Sequence, residues 1–256
     1  MEAVLSWLAD PANWTGETGI PNRLIEHLQV SLLAVLAASL IGLPVGLYTG
    51  HTGRFANLAI NLANIGRAIP SFALMLALLP LTLLAADPLG YDPAFGLSEL
   101  PLFLAMMLLA IPPILVGAYA GLREVDRDLI EAGRGMGMRE VQILRRIEIP
   151  IAIPIIIGGL RTATLQVIAT ATIGAYLSFG GLGRFIVDGI ARSEPDMLFA
   201  GAVLVTVLAL IVDGVLAIVQ RILTPRALRG GGGMRPPEQV DETVVDPGML
   251  GVQVRT

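Results

Sequence analysis

The chain has 256 residues, 54% of them hydrophobic and 15% charged, with no cysteine and a formal net charge of −4. A mean hydropathy of +0.74 excludes an ordinary soluble domain and points to an all-α polytopic membrane protein with one transmembrane domain. Disulfides and thiolate metal sites are excluded by the missing cysteine, and all 17 basic residues are Arg, whose placement matters more here than net charge.

Residues 1–23 read as an external or interfacial segment. Trp7 and Trp14 suit a membrane interface, while Pro11, Gly16, Gly19 and Pro21 break regular structure, so a short helix and a turn are expected. Met1 to Asp10 lacks the basic start and apolar run of a cleavable signal peptide. Residues 24–223 form the transmembrane domain. Its apolar runs, about 24–48, 57–85, 100–121, 151–177 and 197–222, approach or exceed the ~20 residues that cross a bilayer as a helix.

In the first span Gly42 and Pro44 are expected to introduce a kink. The second is read as one long helix whose first half carries Asn57, Asn61, Asn64, Arg67 and Ser71. At about 100° per residue these fall within roughly a third of its circumference. A polar stripe entering a membrane should face protein or water, so Asn57, Asn61, Asn64 and Ser71 are candidates for lining a path. Residues 87–99 read as an acidic loop, and Pro112-Pro113 interrupts the third span.

Residues 122–150 are too polar for lipid and too regular for a loose linker. The stretch Glu131 to Pro150 reads as two short helices about a glycine turn. Asp128 is expected to cap the first, with Glu131 three residues on. Gly133, Gly135 and Gly137 permit a tight reversal, with no room at Gly137 for a branched side chain. Val141, Leu144 and Ile147 recur on one face, and Pro150 opens the next helix. Such an element can offer a knob to a soluble partner; the plainer alternative is a surface hairpin without one.

In the fourth span Gly158, Thr162, Gln166, Thr170 and Gly174 recur every fourth residue as one stripe of small and polar groups, either lining a path or packing helices closely. Gly180-Gly181-Leu182-Gly183 lacks the GK[ST] of a phosphate loop and reads equally as a close-packed turn at the outer mouth or as a plain linker. Arg161 lies roughly 16 Å along the fourth helix and Asp213 roughly 14 Å from the end of the fifth, on antiparallel spans, so an intramembrane ion pair is expected, the alternatives being that Arg161 faces a wet cavity or that Asp213 bonds to a neighbouring subunit. No catalytic set is visible, and His27 and His51 lie at opposite ends of one span, so no metal pair forms. Residues 224–256 turn to Gly, Pro and acids and read as a disordered tail.

Arginine placement sets the expected topology. The 51–56 loop, the 122–150 loop and the C-terminal segment hold Arg54, six Arg from Arg123 to Arg146, and Arg221, Arg226, Arg229, Arg235 and Arg255; the opposite side holds Arg23, Arg184 and Arg192. The positive-inside bias then puts the N-terminus outside and the C-terminus in the cytoplasm.

Glu131-Ala132-Gly133, three residues, Gly137, nine residues, Ile147-x-Ile149-Pro150 resembles the EAA signature of permease subunits of binding-protein-dependent ABC importers. Gly133 stands for the second Ala of that pattern and Ile149 for its Leu. Ile69-Pro70-Ser71-Phe72-Ala73-Leu74 resembles an IPS-x-AL block of the osmoprotectant branch, and Gly66 to Pro70 also resembles a stretch of methionine importers. Gly159 to Ala163 and Gly180 to Gly183 extend the resemblance, which covers about Leu24 to Leu223; Tyr176 to Phe179 depart from the small residues expected there.

The resemblance implies the five-helix fold of methionine-importer-like ABC permeases in a bacterial cytoplasmic membrane. It implies that Glu131, Ala132, Gly133, Gly137, Ile147 and Pro150 shape a loop that docks into an ATPase groove. Implied partners are two ATPase subunits carrying ATP and Mg, a second permease subunit and an external substrate-binding protein. No cofactor on this chain and no nucleic acid are expected. The implied cargo is glycine betaine, choline, carnitine or proline. The alternatives are a permease for methionine or another small solute, an ion-coupled secondary carrier using Arg67, Arg161 and Asp213, and a membrane assembly factor.

Overall fold

The computed structural model describes residues 2–90, 92 and 99–225. Among them the chain is helical throughout: α1 (Glu2–Ala9), α2 (Ile20–Thr52), α3 (Ala56–Ala68), α4 (Ser71–Leu89), α5 (Glu99–Arg123), α6 (Arg127–Gly135), α7 (Glu140–Ile143), α8 (Ile149–Ile173), α9 (Gly183–Arg192) and α10 (Pro195–Leu223). Short 3₁₀ turns cover Pro11–Trp14 and Gly174–Leu177, and a π turn, Leu144–Glu148, joins α7 to α8. Five helical stretches are long and apolar enough to cross a membrane: α2, α4, α5, α10 and the run from Glu140 to Leu177 built on α8.

The polypeptide breaks where its backbone chemistry requires it. The expected single helix over 57–85 is two helices, because Pro70 has no amide to donate and forces Ile69 into an extended conformation (ψ 122°). The asparagines therefore ride on α3, apart from the spanning helix α4. Asp87 lies within α4, which runs on to Leu89 and ends on Gly90 at φ +70°, so the acidic stretch starts later than expected. The expected loop at 93–98 and the tail from 226 lie outside the described residues. Pro44 is carried inside α2, which runs as one helix from Ile20 to Thr52.

Helix α5 is the centre of the bundle, packed on α2 along one face and α8 along another, with α3 and α4 also against it. Its Leu102, Met106, Ala110 and Ile114 are wholly buried, against Ala34 and Ala38 of α2 and Ala163 and Val167 of α8. Glycines set the spacing. A Cβ on Gly46 would lie 2.6 Å from both Ala118 Cβ and the Leu115 carbonyl oxygen; one on Gly159 would lie 2.6 Å from the Pro113 carbonyl oxygen. Backbone meets backbone at these points, which is how helices associate where lipid supplies no hydrophobic drive. By contrast α10 leaves most of its apolar surface uncovered, with Leu210, Ile211, Val215 and Ile218 all more than half exposed.

At the end opposite α6 and α7, the N-terminal segment covers the bundle, Trp7 meeting Phe185 edge-on with ring centroids 5.4 Å apart. Gly181 takes φ +70°, and its N–H donates to Glu26 at 2.7 Å, so the glycine turn is tied to the start of α2. Beneath it His27 is fully buried and bonds the Ile168 carbonyl at 3.1 Å.

Candidate functional site

The loop between α5 and α8 is built on buried anchors. Val125 is buried as the chain leaves α5. Asp126, two residues before the expected cap Asp128, closes the N-terminus of α6 by accepting the Asp128 N–H at 2.9 Å, so Asp128 falls in the first turn. At the other end Met136, Gly137 and Met138 donate their N–H groups back to Ala132, Arg134 and Gly133 carbonyls. This termination needs one left-handed residue, and Gly137 supplies it at φ +80°. A Cβ there would meet nothing within 4 Å, so backbone angle, not crowding, demands glycine. Gly133 plays a different part from that expected: it is buried within α6, where a Cβ would lie 2.9 Å from Ile147 Cδ1. Gly135 is in open space.

Of the apolar face expected over Val141, Leu144 and Ile147, the last two are half-buried and Val141 is not. Ile143 is wholly buried, while Val141 is 61% exposed. Both lie in α7, ahead of the π turn from Leu144 to Glu148, and α7 turns Ile143 rather than Val141 towards Gly133. Arg134 joins the two short helices by donating to Glu140 at 2.9 and 3.2 Å, and these hydrogen bonds raise its guanidinium above its ordinary pKa.

The motif residues thus divide by role. Gly133 is buried and Ile147 and Pro150 half-buried, with Gly133 and Ile147 packed against each other inside the hairpin; Glu131, Ala132 and Gly137 face out. Around them Leu129, Met136 and Val141 are 48%, 75% and 61% exposed on an otherwise polar loop. An apolar trio rimmed by charge is what a protein partner would cover.

The polar groups of the spans do not form one surface. Asn57, Asn61 and Asn64 are exposed along α3, and Ser71 is half-buried at the start of α4. The stripe expected on α8 drifts: Thr162 is exposed, Gln166 half-buried, Thr170 and Gly174 buried. A four-residue step on a helix of 3.6 residues per turn rotates by about 40° each time, so the far end swings into the protomer. Arg161 and Asp213 are brought together. Arg161 donates from Nε and Nη2 at 2.8–2.9 Å to the Asp213 carboxylate and from Nη1 to Gln220 at 3.0 Å, and Gln220 in turn donates to the Pro154 carbonyl at 2.8 Å. No cluster of metal-ligating side chains occurs among the described residues.

Apolar spans around a central helix, with an outward-facing hairpin between the third and fourth, define a multi-pass transport permease. The chain belongs to the binding-protein-dependent transport system inner membrane component family, which it matches over residues 42–228. It is thus a bacterial inner-membrane protein. A glycine betaine/carnitine/choline transport system permease protein of Bacillus subtilis (strain 168) is 36% identical over 205 residues, covering 80% of this chain and 88% of that one. An osmoprotectant import permease protein of Salmonella typhimurium is 37% identical over 204 residues, covering 80% and 91%. In fold, the chain resembles a subunit of the MetNI methionine ABC transporter in an inward-facing form, with a TM-score of 0.70 at 22% identity over 85% of this chain and 100% of that one.

Proposed function

We propose that this permease forms the translocation path of an ATP-driven importer for a small osmoprotectant such as glycine betaine, choline, carnitine or proline. The observation that carries the ATP-driven part is the hairpin, whose motif residues Glu131, Ala132 and Gly137 face outward beside exposed Leu129, Met136 and Val141. That surface suits the groove of an ATPase subunit in the cytoplasm, with the N-terminus outside as the arginine distribution favours. Two ATPase subunits would carry ATP and Mg, a second permease subunit would complete the path, and an external binding protein would deliver the solute. Asn57, Asn61, Asn64, Ser71, Thr162 and Gln166 are its candidate lining. Substrate class is supported by the relatives named above, at 36% and 37% identity over most of their length.

An ion-coupled carrier is disfavoured by the family match and by relatives named as permease proteins of transport systems. Reconstitution with the cognate ATPase and binding protein tests the proposal. ATP-dependent uptake of labelled glycine betaine or choline, surviving an uncoupler, is expected. Uptake driven by an ion gradient without ATP, or stimulation by methionine alone, would overturn it.

A further inference from the structure

The hairpin is continuous in sequence with α5 and α8, but not with α2. Among the described residues its polar link to α2 runs through one side chain, His51, in the last turn of that helix. His51 Nδ1 lies 2.5 Å from Glu148 Oε2, and Nε2 lies 3.5 Å from Glu140 Oε2. Glu140 is in turn held by Arg134. The series Arg134–Glu140–His51–Glu148 therefore ties α6, α7 and the π turn to the end of α2. Glu148 is 3% exposed, and a buried carboxylate requires a hydrogen-bonding partner; the imidazole of His51 provides it. Beyond His51 the chain reaches α3 through residues 53–55, in which Gly53 and Phe55 both take left-handed conformations (φ 72° and 57°). Such a short, conformationally fixed link leaves α3, with its exposed asparagines, to follow the end of α2.

We propose that His51 is a positioning residue for energy coupling: it transmits displacement of the ATPase-docking hairpin to α2 and, through residues 53–55, to the asparagine face of α3. The inference rests on the docking reading above. It assigns a task to a residue 97 positions from its partner, outside the signature.

The test uses the complete complex of permease, ATPase and binding protein in vesicles, with His51→Leu, His51→Gln and the double variant His51→Leu/Glu148→Leu. Complex recovery, ATP hydrolysis and uptake of labelled glycine betaine or choline are measured together. His51→Leu should lower solute moved per ATP about tenfold, the size of effect expected when one link of a coupling network is cut. His51→Gln, which keeps an N–H for Glu148, should recover most of that ratio. Should His51→Leu fail to insert, the double variant removes the stranded carboxylate and should assemble yet stay uncoupled. An unchanged ratio in His51→Leu or in the double variant overturns the proposal, as does an equal loss in His51→Gln. Failure of the unmutated permease to bind its ATPase would instead defeat the docking reading.

Discussion

Arg161 grips both carboxylate oxygens of Asp213, each at 2.8 Å from Nη2, across the interface of α8 and α10. Both side chains are about one-third exposed in the protomer, at 30% and 32%. Because α10 covers so little of itself against the rest of the protomer, this pair and Gln220 supply polar fastening that its smooth apolar surface lacks. Removing one partner strands a charge, so Arg161→Met or Asp213→Leu should each cost about 1–3 kcal/mol, less than a fully buried pair because of the exposure. The double variant should lose less than the sum. Thermal unfolding in detergent measures this, and simple additivity would mean that the two residues act independently.

At Gly137 the obstacle to substitution is backbone angle alone. Gly137→Asn should be tolerated, since Asn visits left-handed conformations, whereas Gly137→Val should cost about 1–2 kcal/mol and misplace the hairpin. Recovery of the ATPase with the tagged permease should fall for Val and hold for Asn. Equal recovery of both would show that the turn tolerates rearrangement.

Gly46 and Gly214 offer a contrast within one protein. A methyl on Gly46 meets Ala118 and the Leu115 carbonyl, whereas one on Gly214 meets nothing within 4 Å. Gly46→Ala should destabilise by about 1–3 kcal/mol through forced separation of α2 and α5. Gly214→Ala should be neutral or stabilising by about 0.5–1 kcal/mol, as glycine is a poor helix former. A loss at both sites would show that burial in the protomer does not govern them.

The asparagine face of α3 can be read by cysteine labelling in this cysteine-free chain. Cysteines at Asn57, Asn61 and Asn64 should react with a small water-soluble thiol reagent in at least one transport state. Cysteines at Ala59 and Ala63, 8% and 4% exposed, should stay protected. Protection of the asparagine positions in every state would remove α3 from the path.

The sequence was legible where one physical signal sufficed. Apolar runs long enough to cross a bilayer mark the spanning helices, and the matching depths of Arg161 and Asp213 follow from counting residues along antiparallel helices. It was less legible where two signals conflicted. Hydrophobicity continues through Ile69-Pro70 and masks the break that Pro70 imposes. Ile143 faces inward in place of Val141, and Asp126 and Asp128 are equally plausible caps until the first turn is seen. The bond between His51 and Glu148 has no local pattern at all, since it depends on how three helices meet.

The glycine contacts joining α2, α5 and α8 have a mechanical consequence. Where backbones touch at Gly46 and Gly159, no layer of flexible side chains remains to be sheared, and sliding would drive atoms into one another. These contacts hold α2, α5 and α8 in register, with the hairpin at the end of α5 and α8. A push on the hairpin therefore meets three helices that resist sliding past one another, and the tie from His51 to Glu148 adds a polar link at that same end.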